Sequence, residues 1–394
     1  MRILIVTHYF ASHKGGIEIV AEKLFREFSG RHEVVWIAGD STPPPPESGQ
    51  SRAIPIRVFN FIERKTGVPF PIPTRGAVRM IQSQVSRADV VLLHDCLYLS
   101  NIAAFRKARQ SGIPTIIVQH IGFVPYKNIV LNTALRIANA LVTRPMLTCA
   151  SRVVFISRTT LDYFAKVRFA CPPEVIFNGV DAELYRPAHS KEEKLGLRKR
   201  FNLPLDLSVV LFVGRFVEKK GLEILHRMVS IRPECAWAFA GWGPNNPEAW
   251  GMDNVHVFSG LRGESLAMLY RACDVFVLPS VGEGFPLVIQ EALASGLPVL
   301  CGTETVLADP DLSSFAIGVP VNLAKPEQTA RSFIEALDKL HDSNMSVSDA
   351  YLRRDFALQR YSWRHAAEKY LQIAGKLASH FTAQSALERA GETG

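Results

Sequence analysis

The chain has 394 residues, 47% hydrophobic and 21% charged, a balance that excludes a disordered or fibrous polypeptide and calls for about two cores of ordinary size. No apolar run reaches the ~18–20 residues of a membrane-spanning helix; IPTIIVQHIGFV is interrupted by proline and histidine. The net charge of +8 is unevenly placed: residues 1–180 hold 22 Lys and Arg against 11 Asp and Glu, whereas residues 181–394 hold 23 against 26.

Short Val/Ile/Leu runs alternate with amphipathic stretches, which predicts an α/β protein with parallel sheets covered on both faces. In the first half the strands are ILIVTHYF (3–10), EVVWIAG (33–39), DVVLLHD (89–95), TIIVQHI (115–121) and RVVFIS (152–157). MRILIVTHYF reads as a first buried strand rather than a targeting segment, because its apolar run is brief and no small-residue cleavage pattern follows. The runs STPPPPESG and VPFPIPTRG are surface loops, since consecutive prolines fit neither a helix nor a central strand. The charged stretch HSKEEKLGLRKRFNLP (189–204) is a helix or linker opening the second half. There the strands are SVVLFVGRF (208–216), AWAFAGWG (236–243), VHVFSG (255–260), DVFVLPS (274–280) and LPVLCG (297–302). SWRHAAEKYLQIAGKL (362–377) is a C-terminal amphipathic helix, and ASHFTAQSALERAGETG after it is expected to fray.

The architecture expected is therefore two facing, doubly wound, Rossmann-like domains, 1–182 and 183–365, with 366–394 a helix returning to the first domain and a frayed tail. Ligands of such sheets bind beyond the carboxyl ends of the strands, so each motif is judged by whether it follows a strand. The six cysteines are scattered singly, with no C-x-x-C pair, and read as buried free thiols of a reducing cytoplasm.

Four groups of residues meet that condition. GGIE (15–18) follows the first strand and opens a helix; Gly15 and Gly16 allow close backbone approach, and the helix N-terminus favours an anion such as a diphosphate. A simple turn is the plainer reading of two glycines. GRFVEKKG (214–221) carries Arg215 and Lys220 around a turn, suited to neutralising a leaving diphosphate. PSVGEGFPLVIQEALASGLPVL (279–300) is the most specific: a strand, a Gly-rich turn, Pro286 in the first turn of a helix, and N–H groups of Leu287 and Val288 left for phosphate. Glu283 falls in the loop and Glu291 inside the helix; carboxylates suit polyols because each accepts several hydrogen bonds. Single histidines, His8, His94 and His120, follow strands of the first domain. His120 is favoured, either to orient a sugar or to move a proton. The triplet Asp309-Pro-Asp311 invites a metal, but aspartates in such a turn bond their own backbone, so none is assigned.

In this order the motifs, with VIFNGVDAELYRP (175–187), FAGWGP (239–244) and VFSGL (257–261), resemble the family 4 retaining glycosyltransferases of GT-B fold over roughly residues 1–375. The resemblance implies transfer of a sugar from a UDP- or GDP-linked donor to a glycan, lipid-linked or other anionic acceptor, with retained anomeric configuration, no obligatory metal and no cofactor. It assigns donor-sugar hydroxyls to Glu283, ribose to Glu291, diphosphate to Arg215, Lys220 and Gly16, and the base to Leu261 and Arg262. The turn and helix start add Gly284, Phe285, Leu287 and Val288 to the donor-binding set; His120 joins Glu283, Arg215 and Lys220 as catalytic. The acceptor falls to the first domain. Two departures stand out. CGTETVLADPDL (301–312) replaces a Gly-Gly turn and Pro-Glu pair, and Trp242 occupies a place usually small or acidic. The competing readings are a sugar-nucleotide epimerase on the same scaffold and a non-catalytic sugar-nucleotide-binding protein. A nucleic-acid partner is not expected, because the charge is dispersed and no recognised module accompanies it. The basic half is instead expected to meet the anionic cytoplasmic face of a membrane, aided by FIERKTGVPF (61–70) and the proline-rich loops.

Overall fold

The computed structural model describes residues 1–13, 15–47, 49–66, 70–122, 129–342 and 347–391. The chain divides into two compact units, one formed by the chain up to Asn178 together with the segment from Trp363, the other by Gly179–Ser362.

The first unit contains β1 (Arg2–Val6), β2 (Glu33–Gly39), β3 (Arg52–Ile56), β4 (Val58–Phe59), β5 (Ile72–Pro73), β6 (Val90–His94), β7 (Thr115–Gln119), β8 (Arg152–Phe155) and β9 (Glu174–Val175). Seven of them form a sheet in the order β3-β2-β1-β6-β7-β8-β9, while β4 and β5 pair antiparallel by themselves. Every pairing in the large sheet is parallel; Ile3, for example, lies opposite Val34 on one side and Val90 on the other. The strands are continuous hydrophobic runs because both faces are buried: Ile3, Val6, Val91 and Ile117 are at most 2% exposed.

β3, β4, β5 and β9 were not expected from the periodicity, and VPFPIPTRG, expected as a surface loop, holds β5 and the capped start of the helix Arg75–Val85, since β5 belongs to a two-residue pair that tolerates proline. β3 is a partly exposed edge strand carrying Pro55, a residue that an edge tolerates because one side of it needs no N–H donor. β9 is too short to show a pattern.

The C-terminal helix runs from Trp363 to Gly391, so the expected fraying after Leu377 is corrected. The segment lacks Pro and is rich in good helix formers. Phe381 packs partly buried against the core of the first unit, near Gly112. Earlier in the helix, Tyr370 meets Phe28 edge-on at 6.5 Å, joining it to the helix Gly16–Ser29.

The second unit contains β10 (Val209–Arg215), β11 (Ala236–Trp242), β12 (Val255–Phe258), β13 (Val275–Leu278), β14 (Val299–Gly302) and β15 (Ala316–Val319). Their order is β12-β11-β10-β13-β14-β15, all parallel. The unexpected β15 is a half-exposed edge strand. The stretch 189–204 supplies the helix Lys191–Arg200, whose start is capped when Ser190 Oγ accepts from Glu193 N at 3.2 Å. In both sheets the winding reverses at one place, between β1 and β6 in the first and between β10 and β13 in the second.

Asp309, expected in a self-bonded turn, is fully buried, and its Oδ1 accepts from Asp311 N at 3.2 Å. The same carboxylate takes both arms of Arg360 at 2.7 and 2.6 Å and the Tyr361 hydroxyl at 2.8 Å. It therefore ties the turn after β14 to the end of the helix Val347–Arg360. Asp309→Asn places an amide N–H against the guanidinium in that buried fork. We expect it to destabilise the second unit by about 2–3 kcal/mol, read as a lower urea midpoint.

Candidate functional site

In the second unit, parallel pairing of β10 with β13 sets Val210 beside Val275 and Leu211 beside Phe276. The turns that follow these strands consequently meet. After β10 the chain makes a 3-10 turn, Glu218–Lys220, and ends it at Gly221 with φ +76°. A side chain at 221 is doubly excluded: the backbone is left-handed, and a Cβ would stand 2.2 Å from the Pro279 carbonyl oxygen. Val281 N donates to Lys219 O at 2.9 Å, fastening one turn to the other.

That fastening delivers the motif residues to one place. Lys220 Nζ lies 3.0 Å and Lys219 Nζ 3.5 Å from the same Glu283 oxygen. Both are charge contacts, and Glu283 Oε1 has no aligned hydrogen-bond donor among the described residues. Arg215, ending β10, places its guanidinium 5.0 Å from the centre of the Trp242 ring, and its buried Nε has no partner among the described residues. Burial pushes the Glu283 carboxyl up, but Lys219 and Lys220 outweigh it and bring the group down to about 2. Lys220 is also pushed down, first by burial and then by its cationic neighbours Lys219 and Arg215, against the pull of Glu283. Two lysines thus face one carboxylate, with Arg215 acting on Lys220, and the cluster carries an excess of positive charge in a partly buried place. Such a cluster favours an anion. Ser280 Oγ and both amide atoms of Gln290 are likewise buried and unpartnered among the described residues, unsatisfied capacity of the kind that a ligand fills.

The helix after the Gly-rich turn is Leu287–Ala294, so Pro286 stands at its N-cap rather than within the first turn. Among the described residues no side chain caps that N-terminus, which leaves Leu287 and Val288 at an open helix start beside Gly284. Phe285 is turned inward, 3% exposed and edge-on to Tyr361 at 5.3 Å, so its ring belongs to the core and only its backbone is left for a ligand. Glu291 accepts from the Tyr270 hydroxyl at 3.0 Å and is bonded also by Tyr185. Leu261 and the exposed Arg262 follow β12, an edge strand separated from β13 by β11 and β10. Ser265 Oγ braces that turn, accepting from Arg262 N at 3.1 Å.

The first unit has its own constellation beyond β1, β6 and β7. Glu18, 2% exposed, bends back over the start of its own helix. A Cβ on Gly15 would lie 2.1 Å from Glu18 Oε2, whereas among the described residues nothing stands within 4 Å of one on Gly16. The glycine at 15 thus makes room for Glu18, and only Gly16 faces open space. Glu18 meets His8 Nε2 at 2.9 Å and His13 Nδ1 at 3.5 Å. Burial opposes its charge, but these imidazoles hold the carboxyl well below the usual range. His8 stacks on Tyr98, ring centres 3.8 Å apart. His94, ending β6, places Nδ1 2.9 Å from Nε2 of His120, just after β7. Asp95 Oδ1 accepts from His120 N at 2.8 Å. Phe123 and Tyr126, the aromatics expected beside His120, lie outside the described residues, as do residues 67–69 of FIERKTGVPF.

Several residues here carried no role in the motif reading: Lys219, Tyr185, Tyr270, Glu18 and Asp95. Lys219 was visible as the first half of a Lys-Lys pair. Tyr185 stood in the stretch VIFNGVDAELYRP without a role, and Tyr270 had no signal, because their hydroxyls find Glu291 only through folding.

The depressed Glu283 carboxyl stabilises the folded chain above its ordinary value of 4.5, and that contribution is lost as pH falls toward about 2. The thermal midpoint of the parent chain should therefore drop more steeply between pH 4.5 and pH 2 than that of Glu283→Gln, measured at matched ionic strength.

Comparison with known proteins agrees with this geometry. The profile "Glycosyltransferase Family 4" matches residues 14–184, and "Glycosyl transferases group 1" matches residues 208–343. A D-inositol 3-phosphate glycosyltransferase of Stackebrandtia nassauensis is 28% identical over 319 residues, 72% of this chain and 68% of that protein. A GDP-mannose-dependent alpha-mannosyltransferase of Mycolicibacterium smegmatis is 28% identical over 311 residues, 76% and 79% of the two chains. Sucrose-phosphate synthase from Thermosynechococcus elongatus superposes with a TM-score of 0.75 at 19% identity, over 96% of this chain and 100% of that one, a likeness of fold. Two Rossmann-like domains, the lysine-paired glutamate and both profiles lead to one conclusion: the chain belongs to the group 1, family 4 glycosyltransferases of GT-B fold.

Proposed function

We propose that this glycosyltransferase moves a sugar from a UDP- or GDP-linked donor to a glycan, lipid-linked or other anionic acceptor, retaining the anomeric configuration, in cell-surface polysaccharide or glycolipid synthesis. The observation that carries the reading is the surplus of positive charge around Glu283, with Lys219 and Lys220 within 3.5 Å of one carboxylate oxygen. A nucleoside diphosphate brings the anion that this cluster lacks, and a hexose brings the hydroxyls that an unaligned carboxylate accepts. One relative carries a GDP-mannose dependence in its name, which favours a nucleotide-linked donor.

Arg215, Lys219, Lys220 and the uncapped helix start hold the diphosphate and stabilise the charge that grows on it as the glycosidic bond breaks. The same cations supply the neutralisation for which other transferases recruit a divalent ion, so no metal is required. Glu283 holds sugar hydroxyls; Glu291, oriented by its tyrosines, holds the ribose, and Leu261 and Arg262 meet the base. The leaving diphosphate takes the acceptor proton as the acceptor attacks the same face through an oxocarbenium-like transition state. In the first unit, Gly16 and His120 are the groups offered to substrate, and this basic unit takes the acceptor.

The reaction is placed in the cytoplasm, at the inner face of the membrane. The support is the six free cysteines, four of them buried as expected while Cys149 is exposed and Cys171 half-buried, and the basic excess of residues 1–180. No described helix is long and apolar enough to cross a membrane.

Two measurements test the proposal. In a screen of nucleotide sugars read by nucleotide release, Lys220→Ala and Glu283→Ala should each lower kcat about 10²–10³-fold with an intact fold by circular dichroism; full activity in both overturns the reading. In liposome flotation at low salt, the protein should rise with anionic and not with neutral vesicles, and equal recovery removes the membrane from the proposal.

A further inference from the structure

His94 and His120 are 0% and 3% exposed, and their rings lie 5.1 Å apart at 30°. Burial pushes both imidazoles down, His94 well below its ordinary value and His120 to about 3, so the pair is neutral and shares one proton across its 2.9 Å contact. Two arrangements are open to it. If His120 donated from Nε2, His94 would carry its own proton on Nε2, a buried nitrogen with no partner among the described residues. If His94 donates from Nδ1, that Nε2 is left with only a lone pair. A buried N–H without an acceptor is the rarer and costlier defect.

The backbone holds both rings in register. Asn101 Nδ2 donates to the carbonyls of His94 and Asp95 at 2.6 and 2.7 Å, and Asp95 Oδ1 receives His120 N. Asp95 has φ +64°, a strained turn that brings its carboxylate across from β6 to the end of β7.

We propose that His94 is a positioning residue: by donating Nδ1–H to His120 Nε2 it fixes His120 as the Nδ1–H tautomer, a neutral hydrogen-bond donor to a sugar oxygen rather than a base. The proposal decides between the two roles open to His120 from its place after a strand, orienting a sugar or moving a proton. It rests on the glycosyltransferase reading only for the identity of the oxygen.

The test is a long-range 1H–15N correlation spectrum of the full chain labelled with 15N-histidine, at pH 7 and without nucleotide sugar. Signals are assigned by their loss in His120→Asn. We expect Nδ1 protonated and Nε2 bare in His120; the reverse pattern overturns the proposal. His94→Asn keeps an amide nitrogen at the δ position and should preserve the tautomer. His94→Leu removes the donor and should shift the tautomer ratio by about 10-fold toward Nε2–H. An unchanged ratio in His94→Leu also overturns it. If that variant does not fold, the parent and His94→Asn spectra decide the matter. A chain that released no nucleotide from any sugar donor would give the same spectra, so failure of the functional reading is separable from failure of this one.

Discussion

Parallel pairing at the places where the winding reverses is the constraint on which the candidate sites depend. Where β10 and β13 lie side by side, their connections run off in opposite directions, and a notch is left beyond their carboxyl ends. Lys220 and Glu283 are far apart in the chain and share no element, so the strand pairing is what sets their turns side by side. The backbone bond from Val281 to Lys219 and the closed space over Gly221 then remove the remaining freedom of the two turns. The first unit repeats the device between β1 and β6, where His8 and His94 emerge.

The two notches differ in charge economy. That of the second unit holds more cations than it can pair internally, and its glutamate is kept ionised by them. That of the first unit is internally balanced: Glu18 lies at the start of its own helix with two imidazoles around it. An anion that approached this helix start would meet a carboxylate already in residence. The backbone at Gly16 is open, but the electrostatic invitation at the cationic notch is the stronger one.

Much of this was legible in the sequence because buried parallel strands are written as uninterrupted Val/Ile/Leu runs. All ten of the strands expected on that ground are present. The strands that escaped are the short edges β3, β9 and β15, where one face or one side needs no apolar code, and β4 and β5, a separate pair of two residues each, too short to show a pattern. Glu283, Glu291, Arg215 and Lys220 were legible as spaced motifs after strands. Tyr270 was not, because a fully buried tyrosine on an amphipathic helix is spelled like any core residue, and only its hydroxyl separates the two cases. Phe285 shows the converse: it sits inside the most specific motif, yet its ring faces the core. A motif marks a stretch of backbone and does not say which way each side chain turns.

The first unit is assembled from stretches that lie on either side of the second in the sequence, with the strands up to Val175 and the helix from Trp363. A ribosome therefore makes nearly all of this unit first but completes it last, after the whole of the second. At ~5–20 residues per second, Phe28 waits some tens of seconds for Tyr370. During that interval the face of the helix Gly16–Ser29 that Tyr370 later covers is open to other chains, while the second unit, continuous in the sequence, closes as it emerges. The nascent protein is thus most exposed to misassociation in its older half, until the helix from Trp363 has been made.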